Sequence, residues 1–237
     1  MNKKIATFRI DKIISKGETI ISNIFLEIFD KELIGIFGSS GVGKTLLLKQ
    51  LSEYKDKINF LPQNPSEMIN PYRTIKDLLF ETGAKKSFIE QLVVECELTG
   101  VLNLAFSKCS GGQKHRIAIL RTLLTDNKLI YIFDEPLAAL DFKNKEIILK
   151  LFDKVLKESK HTKSIIISTH DLFTIIPFID KTLELTSNGL IKREISLFKD
   201  VVKTYEFLIK EPIDLSPEKI EARIILLNQL KTFLTED

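Results

Sequence analysis

The chain has 237 residues, 44% of them hydrophobic and 28% charged, room for one generous domain or for a core with a small subdomain. A net charge of +3, from 35 basic and 32 acidic residues with no basic run, excludes a nucleic-acid surface built on charge alone. Two cysteines, Cys96 and Cys109, lie thirteen positions apart, too few for a disulfide framework and without metal-ligand spacing, so a reducing compartment is expected.

The opening MNKKIATFRI has lysines but no apolar h-region, so no signal peptide is expected. The longest apolar stretches, such as Leu172 to Ile179, fall far short of the about 20 residues of a membrane helix. Any membrane crossing would fall to other chains. Short strands are predicted over Ala6 to Ile10 and Ile20 to Ile28, with a turn at Lys16-Gly17. Leu33 to Phe37 reads as a buried parallel strand, followed by a helix from Leu46 to about Tyr54 and a strand over Lys57 to Leu61.

Beyond Pro62 a small helical insert is predicted. Thr74 caps a helix to Glu81, with Gly83 past its end, and a capping-box pattern at Ser87 to Glu90 opens a second helix ending near Gly100. Ser110 opens a third helix to about Leu124. Leu129 to Phe133 is again a buried strand, followed by a helix over Glu146 to Glu158 and a strand over Ser164 to Ser168. Thr182 to Leu185 and Leu190 to Arg193 around Asn188-Gly189 read as a hairpin. The tail is helical, with Ser216-Pro217 as its start and Ile220, Ile224, Leu227 and Leu234 on one face. Strands alternating with helices predict an α/β fold with a mostly parallel sheet covered on both faces.

The chemistry gathers at strand ends. Strand, then Gly38-Ser39-Ser40-Gly41-Val42-Gly43-Lys44-Thr45, then helix is a phosphate-loop arrangement. Its backbone N–H groups and the helix N-terminus suit phosphates, Lys44 suits their β- and γ-oxygens, and the Thr45 hydroxyl suits Mg²⁺. Asp134-Glu135 closes another strand at the edge where such folds bind ligands. Asp134 suits Mg²⁺, and Glu135 suits the polarisation of an attacking water. Ser110-Gly111-Gly112-Gln113 at a helix start offers a second anion site, which one chain does not need for one nucleotide; another subunit's γ-phosphate is the economical occupant. His170 ends a strand parallel to those before Lys44 and Glu135, and Gln63 follows a further strand end. His115 and His161 read as surface residues, and Cys109 as a small side chain beside Ser110.

GSSGVGKT, Gln63, SGGQ, IYIFDEP, Ala139-Leu140-Asp141 and Ser168-Thr169-His170, in this order, resemble the nucleotide-binding subunits of ABC transporters over about residues 18 to 193. The spacings from Ser110 to Asp134 and from Glu135 to His170 also fit that family. The resemblance implies a RecA-like P-loop NTPase core over residues 1–63 and 110–196, a helical signature subdomain over 64–109, a reduced β subdomain, and a helical extension over 197–237. It implies two such subunits sandwiching two ATP molecules with Mg²⁺. Lys44, Thr45, Gln63, Asp134, Glu135 and His170 of one would face Ser110 to Gln113 of the other, with Asp141 at the junction. Thr45, Gln63 and Asp134 would serve the metal.

It implies further partners: a second ATPase subunit, a related one favoured over a second copy, two membrane-spanning permeases and an extracytoplasmic substrate-binding protein. The chain would then sit on the cytoplasmic face of the membrane. Gln63-Asn64-Pro65, Ile69-Asn70-Pro71 and Thr74 more narrowly resemble the dipeptide, oligopeptide and nickel importers, although that group's His-Pro-Tyr is absent.

Three features depart from the family. The path from Lys44 to Gln63 is roughly half the family's usual length, so the β-rich subdomain that fills it is largely deleted. Cys109 replaces the leucine before SGGQ, and Ile13 or Ile14 falls where an aromatic stacks on adenine. Losing that stacking costs about 1–3 kcal/mol, which implies a weak or unselective grip on the base. Two other readings remain: a soluble ABC ATPase, and a weakly hydrolysing partner subunit. The stretch between Lys44 and Cys109 is too short for the coiled-coil insertion of DNA-repair members, and ribosome-acting members usually carry two cassettes per chain. The presence of both Glu135 and His170 argues against weak hydrolysis.

Overall fold

The computed structural model describes residues 3–125, 128–138, 140–158, 163–170 and 172–194. The expected tail helix, His161 and Ala139 lie outside these residues.

The chain opens with a two-stranded antiparallel hairpin, β1 (Lys4–Ser15) and β2 (Glu18–Phe29). Its strands run longer than the apolar pattern suggests, because pairing continues through the polar end to Ser15↔Glu18. Lys16 and Gly17 turn the chain with φ of 52° and 85°, the left-handed pair a tight hairpin needs. On the inner face Ile24, Leu26 and Ile28 alternate with outward residues and join the core. A register shift between Ile13 and Ile14 leaves the first 4% exposed and the second 52%.

The main sheet has six strands in the order β4-β5-β6-β3-β7-β8. These are β3 (Leu33–Phe37), β4 (Ile58–Leu61), β5 (Ile130–Phe133), β6 (Ser164–Ser168), β7 (Lys181–Thr186) and β8 (Gly189–Arg193). All neighbours are parallel except β8, which returns antiparallel through the turn at Asn188-Gly189. Every residue of β5 and β6 is buried, which is why the centre of each reads as a run of apolar residues.

Helix α1 (Lys44–Ser52) starts two residues before the apolar pattern, since Gly43 at φ 107° lets the first turn begin at Lys44. The insert contains α2 (Ile75–Phe80) and α3 (Lys86–Glu95), with short 3₁₀ turns at Pro65–Met68, Thr99–Val101 and Phe106–Lys108. Thr74 caps α2 as expected, its Oγ1 accepting from Asp77 N at 3.1 Å. The capping box expected at Ser87 is absent: α3 starts at Lys86 with Lys85 as an N-cap that makes no side-chain bond. It also stops five residues short of Gly100, because Glu97 turns left-handed at φ 53° and Leu98 N bonds back to Val93 O. Helix α4 (Gly111–Leu124) has the expected bounds.

Helix α5 (Phe142–Glu158) begins four residues before its first predicted turn, because Asp141 caps it. Its Phe152 is fully buried against Phe133 of β5, ring centroids 4.9 Å apart. A one-turn helix, α6 (Leu172–Ile175), follows β6. No helix among the described residues is long and apolar enough to cross a membrane.

Candidate functional site

Parallel strands deliver their following residues to one edge. Register pairs Leu61↔Phe133, Phe133↔Ile167 and Ile36↔Ser168 bring the segments after β4, β5, β6 and β3 side by side. Gln63, Asp134-Glu135, Ser168 to His170 and the loop Gly38 to Thr45 therefore share the C-terminal edge of the sheet, where open α/β folds take ligands.

The loop turns on glycine. Gly43 has φ 107° and a Cβ there would lie 2.8 Å from Ile21 Cδ1; Gly38, at φ 155°, would place one 2.7 Å from the carbonyl of Leu185. Lys44 folds back over the loop and donates to the carbonyls of Gly38 at 2.8 Å and Ser39 at 3.2 Å. Burial pushes its pKa down, while Glu135 and then Asp134 act to raise it.

Asp134 is buried and fully engaged. Thr45 Oγ1 donates to its Oδ2 at 2.8 Å, and Ser168 Oγ donates to its Oδ1 at 2.7 Å. Ser168 Oγ in turn accepts from the backbone N–H of Glu135 at 2.8 Å. The Glu135 carboxylate meets His170 Nε2, and His170 Nδ1 lies 3.4 Å from Lys44 Nζ. A neutral imidazole protonated at Nε2 satisfies both neighbours: it donates to the carboxylate and accepts from the ammonium. Lys44, His170, Glu135, Ser168, Asp134 and Thr45 thus form one continuous chain of contacts. Gln63 stands exposed beyond β4, and among the described residues no hydrogen bond joins it to this chain.

Glu135 has φ +50°, a left-handed conformation that is strained for a residue with a side chain. It is held there from several sides. Besides the bond to Ser168, its carbonyl accepts from Ala138 N at 3.2 Å, and the next carbonyl, of Pro136, is bonded to His115 Nε2. The carboxylate side chain is only 11% exposed.

Ser110 caps α4 through a capping box. Its Oγ accepts from Gln113 N at 3.3 Å while Gln113 Oε1 accepts from Ser110 N at 2.9 Å. Ser110 and Gly111 are exposed, and among the described residues no hydrogen bond or ion pair joins Ser110 to Gln113 with Gly38 to Thr45. The expected second anion site therefore lies apart from the phosphate loop in this chain's own network of bonds. Asp141 also acts locally. It accepts from Asn144 N at 2.9 Å and Asn144 Nδ2 at 2.7 Å, and these bonds hold its carboxyl below the usual range.

His115, expected at the surface, is buried on α4 at 7% exposure. Burial lowers its pKa, and the Pro136 carbonyl opposes that shift. The next residue, Arg116, reaches Asn144 Oδ1. Both cysteines are buried and free, and burial pushes the Cys96 thiol up to about 12. Cys109 is, as expected, a small buried side chain. Asn144 carries bonds that no motif points to. Ser168 stands in the Ser168-Thr169-His170 motif, but that motif does not point to its bonds to Asp134 and Glu135. A serine ending an apolar strand is their one visible sign, since a buried hydroxyl needs a partner.

The family described as ABC transporter matches residues 50–138. The phosphonates import ATP-binding protein PhnC of Fusobacterium nucleatum is 30% identical over 211 residues, covering 72% of this chain and 83% of the relative. The lipoprotein-releasing system ATP-binding protein LolD of Leptospira interrogans is 29% identical over 72% of this chain and 84% of its own. An ABC transporter ATP-binding protein of Onion yellows phytoplasma is 26% identical over 94% of this chain, which spans 44% of that relative's length. Among solved structures, cbiO1 from Clostridium perfringens, part of the ABC transporter complex cbiONQ, superposes with TM-score 0.70 at 20% identity, covering 94% of this chain and 99% of that one. The inward-facing structure of a metal-chelate type ABC transporter gives TM-score 0.64 at 21% identity over 82% of this chain and 84% of that one. These neighbours share the P-loop NTPase fold. The chain belongs to the ABC transporter ATP-binding family, and the activity that family carries is ATP hydrolysis.

Proposed function

We propose that this chain hydrolyses ATP as one of two paired ATPase subunits that drive import through separate membrane-spanning chains. The observation that supports it is the unbroken run of contacts from Lys44 through His170, Glu135, Ser168 and Asp134 to Thr45 at one sheet edge. In this reading residues 1–63 and 110–196 are the nucleotide core, 64–109 the helical subdomain and 197–237 an extension.

The phosphates of ATP lie on the loop Gly38 to Thr45, whose N–H groups and helix N-terminus favour anions. Lys44 exchanges its two loop carbonyls for β- and γ-phosphate oxygens. Glu135 takes the proton of the attacking water, and His170, already touching both Glu135 and Lys44, holds the base in place and meets the γ-phosphate. Ser110 to Gln113 contact the γ-phosphate of the partner's nucleotide, and Asp141 lies at the junction.

Thr45 and Asp134 supply hard oxygen donors 2.8 Å apart, and no group of three His, Cys, Asp or Glu side chains placed to hold a metal ion occurs among the described residues. That sparse set suits Mg²⁺, which keeps most of its waters and takes one carboxylate. Held by Thr45 and Asp134, with Gln63 at the adjacent strand end, it would neutralise phosphate charge.

The partners proposed are a related ATPase subunit, two permeases and an extracytoplasmic binding protein, with this chain on the cytoplasmic face of the membrane. A permease helix would dock on the surface beside the exposed Gln63 and the insert. For cargo, the stretch from Gln63 to Thr74 favours peptides, nickel or metal chelates. Its residues act locally, Thr74 as a cap and Asn70 Oδ1 accepting from Tyr72 N at 3.0 Å, so they mark a shared backbone path rather than a cargo contact. The relatives named above handle phosphonates and lipoproteins by their own descriptions.

Glu135→Gln tests the assignment. ATP binding should persist while turnover falls by roughly 10²–10⁴-fold, the worth of a positioned base. Turnover near wild type would overturn it.

A further inference from the structure

With Glu135 read as the base, we infer that His115 is a positioning residue, through which the helix carrying Ser110 holds the backbone of Glu135.

Glu135 sits at φ +50° immediately before a proline, a conformation a carboxylate residue keeps only when its surroundings over-determine it. Its own N–H and carbonyl are bonded to Ser168 and Ala138, and the third restraint is the bond between His115 Nε2 and the Pro136 carbonyl. A carbonyl only accepts, so the imidazole must carry its proton at Nε2. This buried bond is made by a polar side chain at a position where helix packing alone asks for none. An apolar residue would fill the space, but it would leave a buried carbonyl without a donor.

The neighbour of His115 grips the far end of the same loop. Arg116 bonds Asn144 Oδ1, and Asn144 holds Asp141 by two hydrogen bonds. Two consecutive residues of α4 therefore pin the segment from Glu135 to Asp141 at both ends. The helix that presents Ser110 and the loop that aims Glu135 move as one piece. A shift of α4, when Ser110 engages the partner's nucleotide, reaches Glu135 of the same chain through His115. No motif of the sequence points to this link, and a glutamine could supply the same N–H.

The test uses the full chain in the complex it purifies with, comparing His115→Gln, which keeps a donor, with His115→Met, which keeps volume and loses the donor. His115→Met should lower kcat by about 10- to 100-fold, the scale of a misplaced catalytic group, with KM for ATP changed less than about twofold. His115→Gln should stay within about threefold of wild-type kcat and share its melting temperature, while His115→Met should melt only a few degrees lower, the cost of one unpaired carbonyl, and stay fully folded at the assay temperature. Wild-type kcat in His115→Met would overturn the inference. So would an equal loss in His115→Gln, or a His115→Met chain already partly unfolded at the assay temperature, which would make the bond one of the fold alone. Glu135→Gln, run in parallel, separates the two ideas: wild-type turnover there removes the base assignment itself.

Discussion

At the scale of single residues, the site is a set of polar groups made inexpensive to bury by being bonded to one another. Asp134 would be costly alone, yet both its oxygens accept hydroxyl protons, from Thr45 and Ser168. His115 is buried with its pKa lowered, which sets a pH dependence of known sign. The unfolded chain takes up a proton near the ordinary value of 6.5 and the folded chain only below it. As pH falls, the unfolded state therefore binds more protons first, and stability drops from about 6.5 down to the depressed folded value. Unfolding in urea at about pH 7.5 and about pH 5.5 should show a larger loss for wild type than for His115→Gln; equal losses would place the dependence elsewhere. Lys44, Asp134, Glu135 and His170 were all legible as strand-end chemistry. His115 was not, because a histidine on a helix after a polar start looks exposed until β5 and the loop beyond it are packed against that helix.

At the scale of elements, the helices show how far local pattern carries. Thr74 and Ser110 are caps that the sequence announces, and both bonds are present. Ser87 to Glu90 has the letters of a capping box but lies inside α3, whose N-cap is Lys85, so Ser87 is already a helical residue and not the cap. The box appears at Ser110 and Gln113 instead, where the same spacing coincides with the true first turn. Helix α5 depends on its apolar face, and Phe152 lies at the centre of it against Phe133. Phe152→Ala should cost about 3–5 kcal/mol of unfolding free energy, measured by denaturant titration. A cost under about 1 kcal/mol, the range of an exposed site, would mean that α5 does not rest on β5 as described.

At the scale of the whole molecule, the proposed function divides one chain into two half-sites. The loop Gly38 to Thr45 and the contacts around Asp134 form one, and the exposed N-terminus of α4 forms the other. Their separation within the chain is the physical reason to expect a second subunit. Ser110→Arg should leave ATP binding to the isolated chain intact and abolish hydrolysis at the partner's site, read by nucleotide binding and by turnover of the assembled complex. Collapse of binding in the isolated chain would instead put Ser110 in its own nucleotide site. The short path from Lys44 to Gln63 has room for α1 and β4 and no further strand, which leaves the N-terminal hairpin as a lone two-stranded sheet beside the core. Ile14, exposed at its bend, offers aliphatic surface where the family resemblance would expect an aromatic.

The sequence by itself determined the parallel core and its phosphate loop. Buried strands write themselves as apolar runs, and a glycine-rich turn into a helix leaves few other backbone paths. It also determined the order of the chemical groups, since each ends a recognisable strand. Only the tertiary structure decided which groups touch. Thr45 and Asp134 are 89 residues apart in the chain, and Lys44 and His170 are 126 apart. Their meeting depends on the strand order β5-β6-β3, which no local pattern encodes. The left-handed Glu135 and the grip of His115 on Pro136 are consequences of that packing, because strain and buried hydrogen bonds exist only once the surroundings hold them.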